Sequence, residues 1–291
     1  MYPESFDYYR ATSVQHALEL LVEHDDAEIL AGGHSLLPTM KSGVTAPDVL
    51  VDITDIEELR GIRSDNGTTS IGATVRYTDL IDSTHLREQA TVLIESAEVL
   101  GDRQIRNRGT IGGNISHADP ASDLTSAVLA ADATMVVRAP DGERTIPADE
   151  FFLGRYTTAM AEDELLTRIE VENETDNLLS TYLKKESPLT GYALVGVAAA
   201  LELDGGSVKS ARIAANGVIG HPVRLSPVEE ALRNAELTPT AIDNAAARAT
   251  DDIDMSLIMD DLQASATFRS QLLTVYTKRA IERLRERTNT M

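Results

Sequence analysis

Two glycine turns hold the residues of this chain that could do chemistry. Gly109-Thr110-Ile111-Gly112-Gly113-Asn114 continues through Ile115-Ser116-His117-Ala118-Asp119-Pro120-Ala121-Ser122-Asp123. The stretch sets backbone without side chains beside hydroxyls, an amide and two carboxylates. Such a turn can offer N–H groups to an anion and carboxylates to sugar hydroxyls. Ala31-Gly32-Gly33-His34-Ser35-Leu36 has the same character. Neither is the Gly-x-Gly-x-x-Gly dinucleotide fingerprint, and no Gly-x-x-x-x-Gly-Lys-Ser/Thr loop exists. A single Gly-Gly pair is more often only a tight turn. Two such turns, each joined to a helix-capping residue, point to an anion site. Read by themselves, these residues reach as far as a phosphorylated ligand of nucleotide type.

The elements around them follow from pattern. Residues 13–23 predict a helix with Ser13 as N-cap and an apolar stripe of Val14, Ala17, Leu18, Leu21 and Val22. Residues 27–31 predict a short buried strand ending in Gly32-Gly33. Ser35 is positioned to cap a short helix that Gly43 ends. A strand, a glycine turn and a helix start expose backbone donors well. Residues 49–53 predict a second buried strand, and Asn66-Gly67 a hairpin. Asp79 is expected to open a short helix, and 87–100 to form a longer one with Ala90, Leu93, Ile94, Ala97 and Leu100 on one face. After the second glycine turn, Asp119 is the expected N-cap of the next helix with Pro120 at its first position. Asp141-Gly142 marks another hairpin. The polar run at 172–177 is the expected domain boundary, giving domains of 1–175 and 178–288. Beyond it lie a long strand over 192–201, a return strand after Asp204-Gly205-Gly206, and helices near 227–235, 239–249 and 265–287.

Composition removes several function classes. At 291 residues the chain is long enough for two domains. No apolar run is long enough for a membrane span, and residues 1–7 carry no leader pattern, so a cytoplasmic protein is expected. The absence of cysteine excludes disulfides, thiolate zinc, cysteine-ligated iron–sulfur clusters and a cysteinyl-flavin bond in this chain. The six histidines are scattered, so no metal site is expected. A net charge of -21 argues against nucleic acid, which needs Lys and Arg to displace counterions. Only five of the 26 basic residues are lysine. This acid-rich, lysine-poor balance fits adaptation to high cytoplasmic salt, with an ordinary acidic protein as the alternative.

The full stretches say more. Ala31-Gly32-Gly33-His34-Ser35-Leu36-Leu37-Pro38-Thr39-Met40-Lys41 resembles the first FAD motif of the medium, flavin-binding subunits of the molybdenum hydroxylases, the xanthine dehydrogenase and aerobic carbon monoxide dehydrogenase family. Ile105 through Asn114, with Ala118-Asp119-Pro120 and Asp123, is similar to the second. Ile71-Gly72-Ala73, Phe151-Phe152-Leu153-Gly154, Tyr182-Leu183-Lys184, Ala193 through Val197 and Ser265 through Arg269 also resemble family positions. The likeness spans nearly the whole chain.

The resemblance implies an α+β fold: a two-part FAD-binding domain of the vanillyl-alcohol-oxidase (PCMH) type and a smaller α+β C-terminal domain. It implies non-covalent FAD, and it implies partners: a small [2Fe–2S] subunit and a large molybdenum-cofactor subunit, assembled as a dimer of heterotrimers. This chain would relay electrons to an external acceptor and would itself hold neither a metal nor a catalytic nucleophile. The family positions matched are Ala31, Gly32, Gly33, His34, Ser35 and Leu36 in the first motif. Those in the second are Thr110, Ile111, Gly112, Gly113, Asn114, Asp119 and Asp123. Amides of Gly32, Gly33, His34 and Ser35, and of Thr110, Gly112 and Gly113, are expected to meet the diphosphate. Asn114 would donate through its amide. Asp123 matches a position that accepts from the adenosine ribose. Asp119 matches a cofactor contact, although helix capping explains it equally well. Tyr192 sits where relatives put an aromatic beside the isoalloxazine, and the alternative is a sheet-face tyrosine. Lys184 matches a lysine near the flavin's polar edge, with a solvated surface lysine as the alternative. His34 and His117 are expected to be non-catalytic, His117 as a loop residue. Gly191 departs from the family, where an aspartate commonly precedes the aromatic.

Two other classes compete. One is a flavin-fold subunit that scaffolds its partners without FAD, against which both motifs are intact. The other is a self-sufficient flavin oxidase, for which the chain lacks a substrate cap with an acid/base constellation.

Overall fold

The computed structural model describes residues 2–175 and 177–288, so Asp176 of the expected boundary segment lies outside the described residues. Strands β1 (Asp7–Arg10), β2 (Ala27–Leu30) and β3 (Val49–Asp52) form a parallel sheet in the order β1-β3-β2. Only the central β3 is fully buried; β2 is an edge strand and half-buried, not the buried strand its apolar letters suggested. Helix Val14–Glu23 packs on this sheet, and the Ser13 side chain accepts from the His16 N–H as expected of its cap. Its buried face is Val14, Ala17, Leu18 and Leu20, whereas Val22 points to solvent because it lies a third of a turn off that stripe.

A second sheet follows. Hairpin β4 (Ile62–Asp65) and β5 (Thr68–Gly72) turns at Asn66-Gly67, both with positive φ. Hairpin β6 (Thr134–Ala139) and β7 (Gly142–Pro147) closes at Pro140-Asp141. A small ribbon, β8 (Phe152–Gly154) with β9 (Thr157–Thr158), leads to β10 (Leu165–Glu172). Strand β10 is central, giving the antiparallel order β4-β5-β10-β6-β7.

Three helices differ from the sequence expectation. Asp79 does not open its helix; it sits in the first turn of Tyr77–Ile81 and accepts from the Arg76 N–H. The expected helix over 87–100 is two helices, Thr84–Gln89 and Thr91–Glu98, broken at Ala90. The second starts afresh because Glu174 accepts the Thr91 N–H and Ser180 Oγ accepts the Val92 N–H. Asp119 caps no helix. The glycine turn itself opens a helix, Ile111–His117, so His117 is its last residue and not a loop residue. The next helix is Asp123–Ala130, after Ser122. Asp119 lies in the link, where Oδ1 accepts the Ala121 N–H at 2.9 Å.

The last sheet orders β11 (Leu178–Glu186), β12 (Ala193–Asp204), β13 (Ser207–Asn216) and β14 (Val223–Arg224) in sequence, all antiparallel. Both faces are covered, which explains the unbroken apolar run of β12. Tyr182, Ala198 and Ala214 join one core with helices Thr91–Glu98 and Asp123–Ala130. Val195, Val197, Ala199 and Ile213 point the other way, into a core shared with helices Ser226–Leu232, Pro239–Ala246 and Ala266–Thr288. Glu95 ties the long C-terminal helix across: it accepts from Arg283 and Arg287, from Thr181 Oγ1 at 2.6 Å and from the Tyr182 N–H at 2.9 Å. Among the described residues no helix is long and apolar enough to cross a membrane.

Candidate functional site

The first glycine turn links β2 to helix Leu36–Ser42. Gly33 takes φ +71°, a conformation open to glycine at little cost. His34 folds back, its Nδ1 donating to the Gly32 carbonyl at 2.9 Å, and its ring stays exposed. Gly43 ends the helix in the left-handed region as expected, but Ser35 does not cap it, because its backbone is already helical. The carbonyls of Gly33 and Ser35 are taken by Leu37 and Thr39. The amides of Gly32, Gly33, His34 and Ser35 donate to no other group among the described residues. They form a row of donors without acceptors, with Leu36 next in line as the first helical residue.

The second turn is built differently. Thr110 bridges to Arg76, and its hydroxyl accepts the Gly113 N–H at 3.2 Å. Ile111 donates to the Val75 carbonyl and Gly112 to the Ala73 carbonyl, each at 2.9 Å. The expectation that Gly112 and Gly113 offer amides to a diphosphate therefore fails: those hydrogens fix the turn to the 73–76 backbone and to Thr110. The glycines serve close packing instead. A β-carbon on Gly112 would meet Ala73 at 2.5 Å, and one on Gly109 would strike the Tyr77 ring.

The two turns meet backbone to backbone. A β-carbon on Gly32 would run into the Arg108 carbonyl oxygen and lie 2.8 Å from the Gly109 Cα. A β-carbon on Gly113 would come within van der Waals distance of the Ala31 side chain. A cavity of about 680 Å³ opens beside this contact, lined by Ala31, Gly32 and Thr110 and by Arg10, Arg60, Arg76 and Arg108. Asp52, Asp55 and Asp79 share its wall. Arg10 and Arg60 are paired with Asp55.

Asn114 is engaged within the chain. Its Nδ2 donates to the Tyr77 hydroxyl at 3.0 Å and its Oδ1 accepts from Ser122 Oγ at 2.6 Å. Burial raises the Tyr77 phenol above its ordinary range, so it stays protonated. At the end of the same helix, His117 lies against Tyr156 with ring centroids 5.1 Å apart. Burial lowers the His117 pKa, which favours a neutral ring.

Asp123 and Lys184 are where the structure departs most from expectation. Asp123 is not an open ribose acceptor: it is 3% exposed, with Oδ1 accepting from the Tyr182 hydroxyl at 2.5 Å and Oδ2 from Lys184 Nζ at 2.9 Å. Burial raises its pKa to about 6, although Lys184 and Tyr182 both pull it down. Lys184 is neither solvated nor at an open edge; its side chain is 4% exposed and also donates to the Val99 and Gly191 carbonyls. The carboxylate starts helix Asp123–Ala130, where backbone N–H groups favour negative charge. Tyr182 and Asn216 complete the network: Asn216 Oδ1 accepts from Ser126 Oγ at 2.8 Å and lies 3.1 Å from the Tyr182 hydroxyl. Sequence reasoning missed both. The available signal was Gly196 inside a long strand, which marks close approach. It stands between Lys184 and Asn216 in register, and a β-carbon there would overlap the Tyr182 hydroxyl.

Tyr192 is not part of β12. It ends the 187–192 loop and is 52% exposed. Its phenol is pushed up by partial burial and then by Asp119, Tyr156 and Asp123. Tyr156 donates its N–H to the carbonyl of Ala118, next to Asp119, and Gly191, next to Tyr192, is joined through Lys184 to Asp123. The structure joins the first turn to the second, and the end of the second to Lys184 and the Tyr192 loop. Among the described residues no cluster of His, Cys, Asp or Glu could hold a metal ion.

Residues 4–172 match the family model described as FAD binding domain in molybdopterin dehydrogenase, and residues 185–284 that of the CO dehydrogenase flavoprotein C-terminal domain. The chain is 34% identical over 282 residues to the glyceraldehyde dehydrogenase medium chain of Sulfolobus acidocaldarius, covering 97% of this chain and 99% of the relative. It is 36% identical over 282 residues to the carbon monoxide dehydrogenase medium chain of Hydrogenophaga pseudoflava, covering 97% of each. A solved carbon monoxide dehydrogenase from the same organism, lacking the Mo-pyranopterin moiety, superposes with a TM-score of 0.93 at 37% identity, over 97% of this chain and 98% of that one.

Proposed function

Because the chain belongs to the family of FAD-binding medium subunits of molybdenum hydroxylases, we propose that it is the electron-transfer subunit of a three-part enzyme of that family. As such it binds FAD and is a subunit of an oxidoreductase. The division into 1–175 and 178–288 is part of the same proposal. So are the partners: a small [2Fe–2S] subunit that delivers electrons, a large subunit with the molybdenum cofactor, and their pairing as a dimer of heterotrimers. Bound FAD supplies redox chemistry that no side chain of this cysteine-free chain can.

One observation carries the reading. Among the described residues the amides of Gly32 through Ser35 have no acceptor, and the turn holding them is pressed onto Gly109 at a contact only glycine permits. A diphosphate needs convergent donors and close backbone approach, and this row offers both. Arg76 and Arg108 add positive charge from the adjoining cavity. The second turn acts as the platform, with Thr110 and Asn114 holding its shape. Asp123 and Lys184 then form the floor between the motif and the C-terminal sheet, and Tyr192 supplies an aromatic face at the rim. Asp119 follows Ala118, whose carbonyl accepts the Tyr156 N–H.

The test is direct. The full chain purified with FAD should be yellow and should retain the flavin through gel filtration. A colourless chain that takes up no added FAD sinks the reading and leaves a scaffolding subunit. In the assembled complex, the flavin should be reduced by substrate only when the small subunit is present.

A further inference from the structure

Lys184 ties together three elements that are far apart in sequence. An ammonium group has three hydrogens to donate. One goes to the Val99 carbonyl at 2.8 Å, just past helix Thr91–Glu98. Another goes to Asp123 Oδ2 at 2.9 Å, and the third to the Gly191 carbonyl at 2.9 Å. The side chain is 4% exposed, so each of these bonds replaces water that is not there. Gly191 adjoins Tyr192 and takes φ +73°.

The loop has few other holds. Ser187 N–H donates to the Tyr192 carbonyl and Gly191 N–H to the Ser187 carbonyl, both inside the loop. Leu189 and Tyr192 donate to the hydroxyls of Ser187 and Thr190, again inside it. Thr190 reaches outward to Gln263 at a long 3.4 Å. Among the described residues, Lys184 makes the one hydrogen bond between this loop and the network at the second motif. Tyr182 supports that bond from behind by donating its hydroxyl to Asp123, with Asn216 beside the phenol, in space that Gly196 leaves free.

We propose that Lys184 is a positioning residue that fastens the 187–192 loop to Asp123 and so sets where the Tyr192 ring stands beside the flavin. The proposal rests on the reading of Tyr192 as a flavin neighbour. It makes Asp123 an anchor whose partner is a lysine of the C-terminal part.

The test uses the full chain with FAD. Because the chain has no cysteine, L189C gives a single thiol on the loop, at a residue 84% exposed and outside the proposed site. A nitroxide there reports loop mobility. K184M should free the label and weaken FAD binding about tenfold, the scale of one hydrogen bond to a charged group. It should also lower the melting temperature, since Asp123 is left buried without its cation. K184M/D123N removes both charges and should regain much of that stability while the label stays mobile. An unchanged label spectrum in the double variant overturns the proposal, as does a K184M chain that folds and keeps wild-type FAD affinity with a mobile label. The underlying reading is tested separately: Y192L with unaltered flavin spectrum and affinity would remove Tyr192 from the flavin while leaving the label result for Lys184 intact.

Discussion

Gly32 and Arg108 pass so close that no β-carbon fits between them: one built on Gly32 overlaps the Arg108 carbonyl oxygen. The two glycine motifs are thus one surface, although more than seventy residues separate them in the chain. G32A should force the turns apart, costing about 1–3 kcal/mol as overpacking does. FAD affinity should fall by about tenfold or more. G142A is the control, since no atom lies within 4 Å of a β-carbon there. Equilibrium dialysis with FAD reads both, and wild-type affinity in G32A would contradict the close contact.

The Thr110 hydroxyl holds the second turn by accepting the Gly113 N–H. T110A should destabilise the chain by about 1 kcal/mol, the usual loss of a cap, and T110S should recover most of it. Thermal unfolding of the three proteins checks this. Equal melting temperatures for T110A and wild type would mean the cap is idle.

Asp123 should titrate at about 6 in the folded chain, raised by burial from the ordinary aspartate range. The folded state then holds this proton at pH values where the unfolded chain has lost it. Its contribution to stability is therefore greatest below the ordinary range, falls as pH rises towards about 6, and is constant above that. An infrared carboxyl titration, wild type minus D123N, should show the midpoint. K184M should move it up, because the lysine lowers it. A midpoint in the ordinary range, or a downward move, would be inconsistent with the buried pair.

Glu95 accepts from Arg283, Arg287, Thr181 and the Tyr182 backbone. E95A leaves the Thr181 hydroxyl and the Tyr182 N–H without their acceptor, while Arg287 keeps the Ser180 carbonyl and Arg283 stays partly solvated. A loss of about 1–3 kcal/mol is expected, the cost of leaving buried polar groups unpaired. Limited proteolysis should then cut within the last helix before the rest of the chain. Resistance equal to wild type would show that apolar packing alone holds that helix.

Local signals were read well from sequence. Ser13 caps its helix, Gly43 ends one, and Asn66-Gly67 turns a hairpin, each by chemistry contained in a few residues. What was not legible depends on distant partners. The break at Ala90 comes from Glu174 and Ser180 in the polar segment and the strand beyond it. The lost donors of Gly112 and Gly113 depend on Ala73 and Thr110, and only a folded turn shows that they are occupied. Asp119 looked like a cap because Pro120 follows it, but the chain enters its helix later, after Ser122. The Asp123–Lys184 pair spans 61 positions, and nothing near either residue announces the other.

The four-stranded sheet gives one of its faces to the first part of the chain and the other to the last. Tyr182, Ala198 and Ala214 are as much core of the amino-terminal part as its own helices are. Severing the chain in the 172–178 region would therefore strip apolar surface from both fragments at once. Calorimetry should give a single endotherm, not one for each family model. For inheritance, the consequence is that the two segments travel as one unit: a gene exchange that replaced only one of them would have to match the partner's side of the shared wall residue by residue.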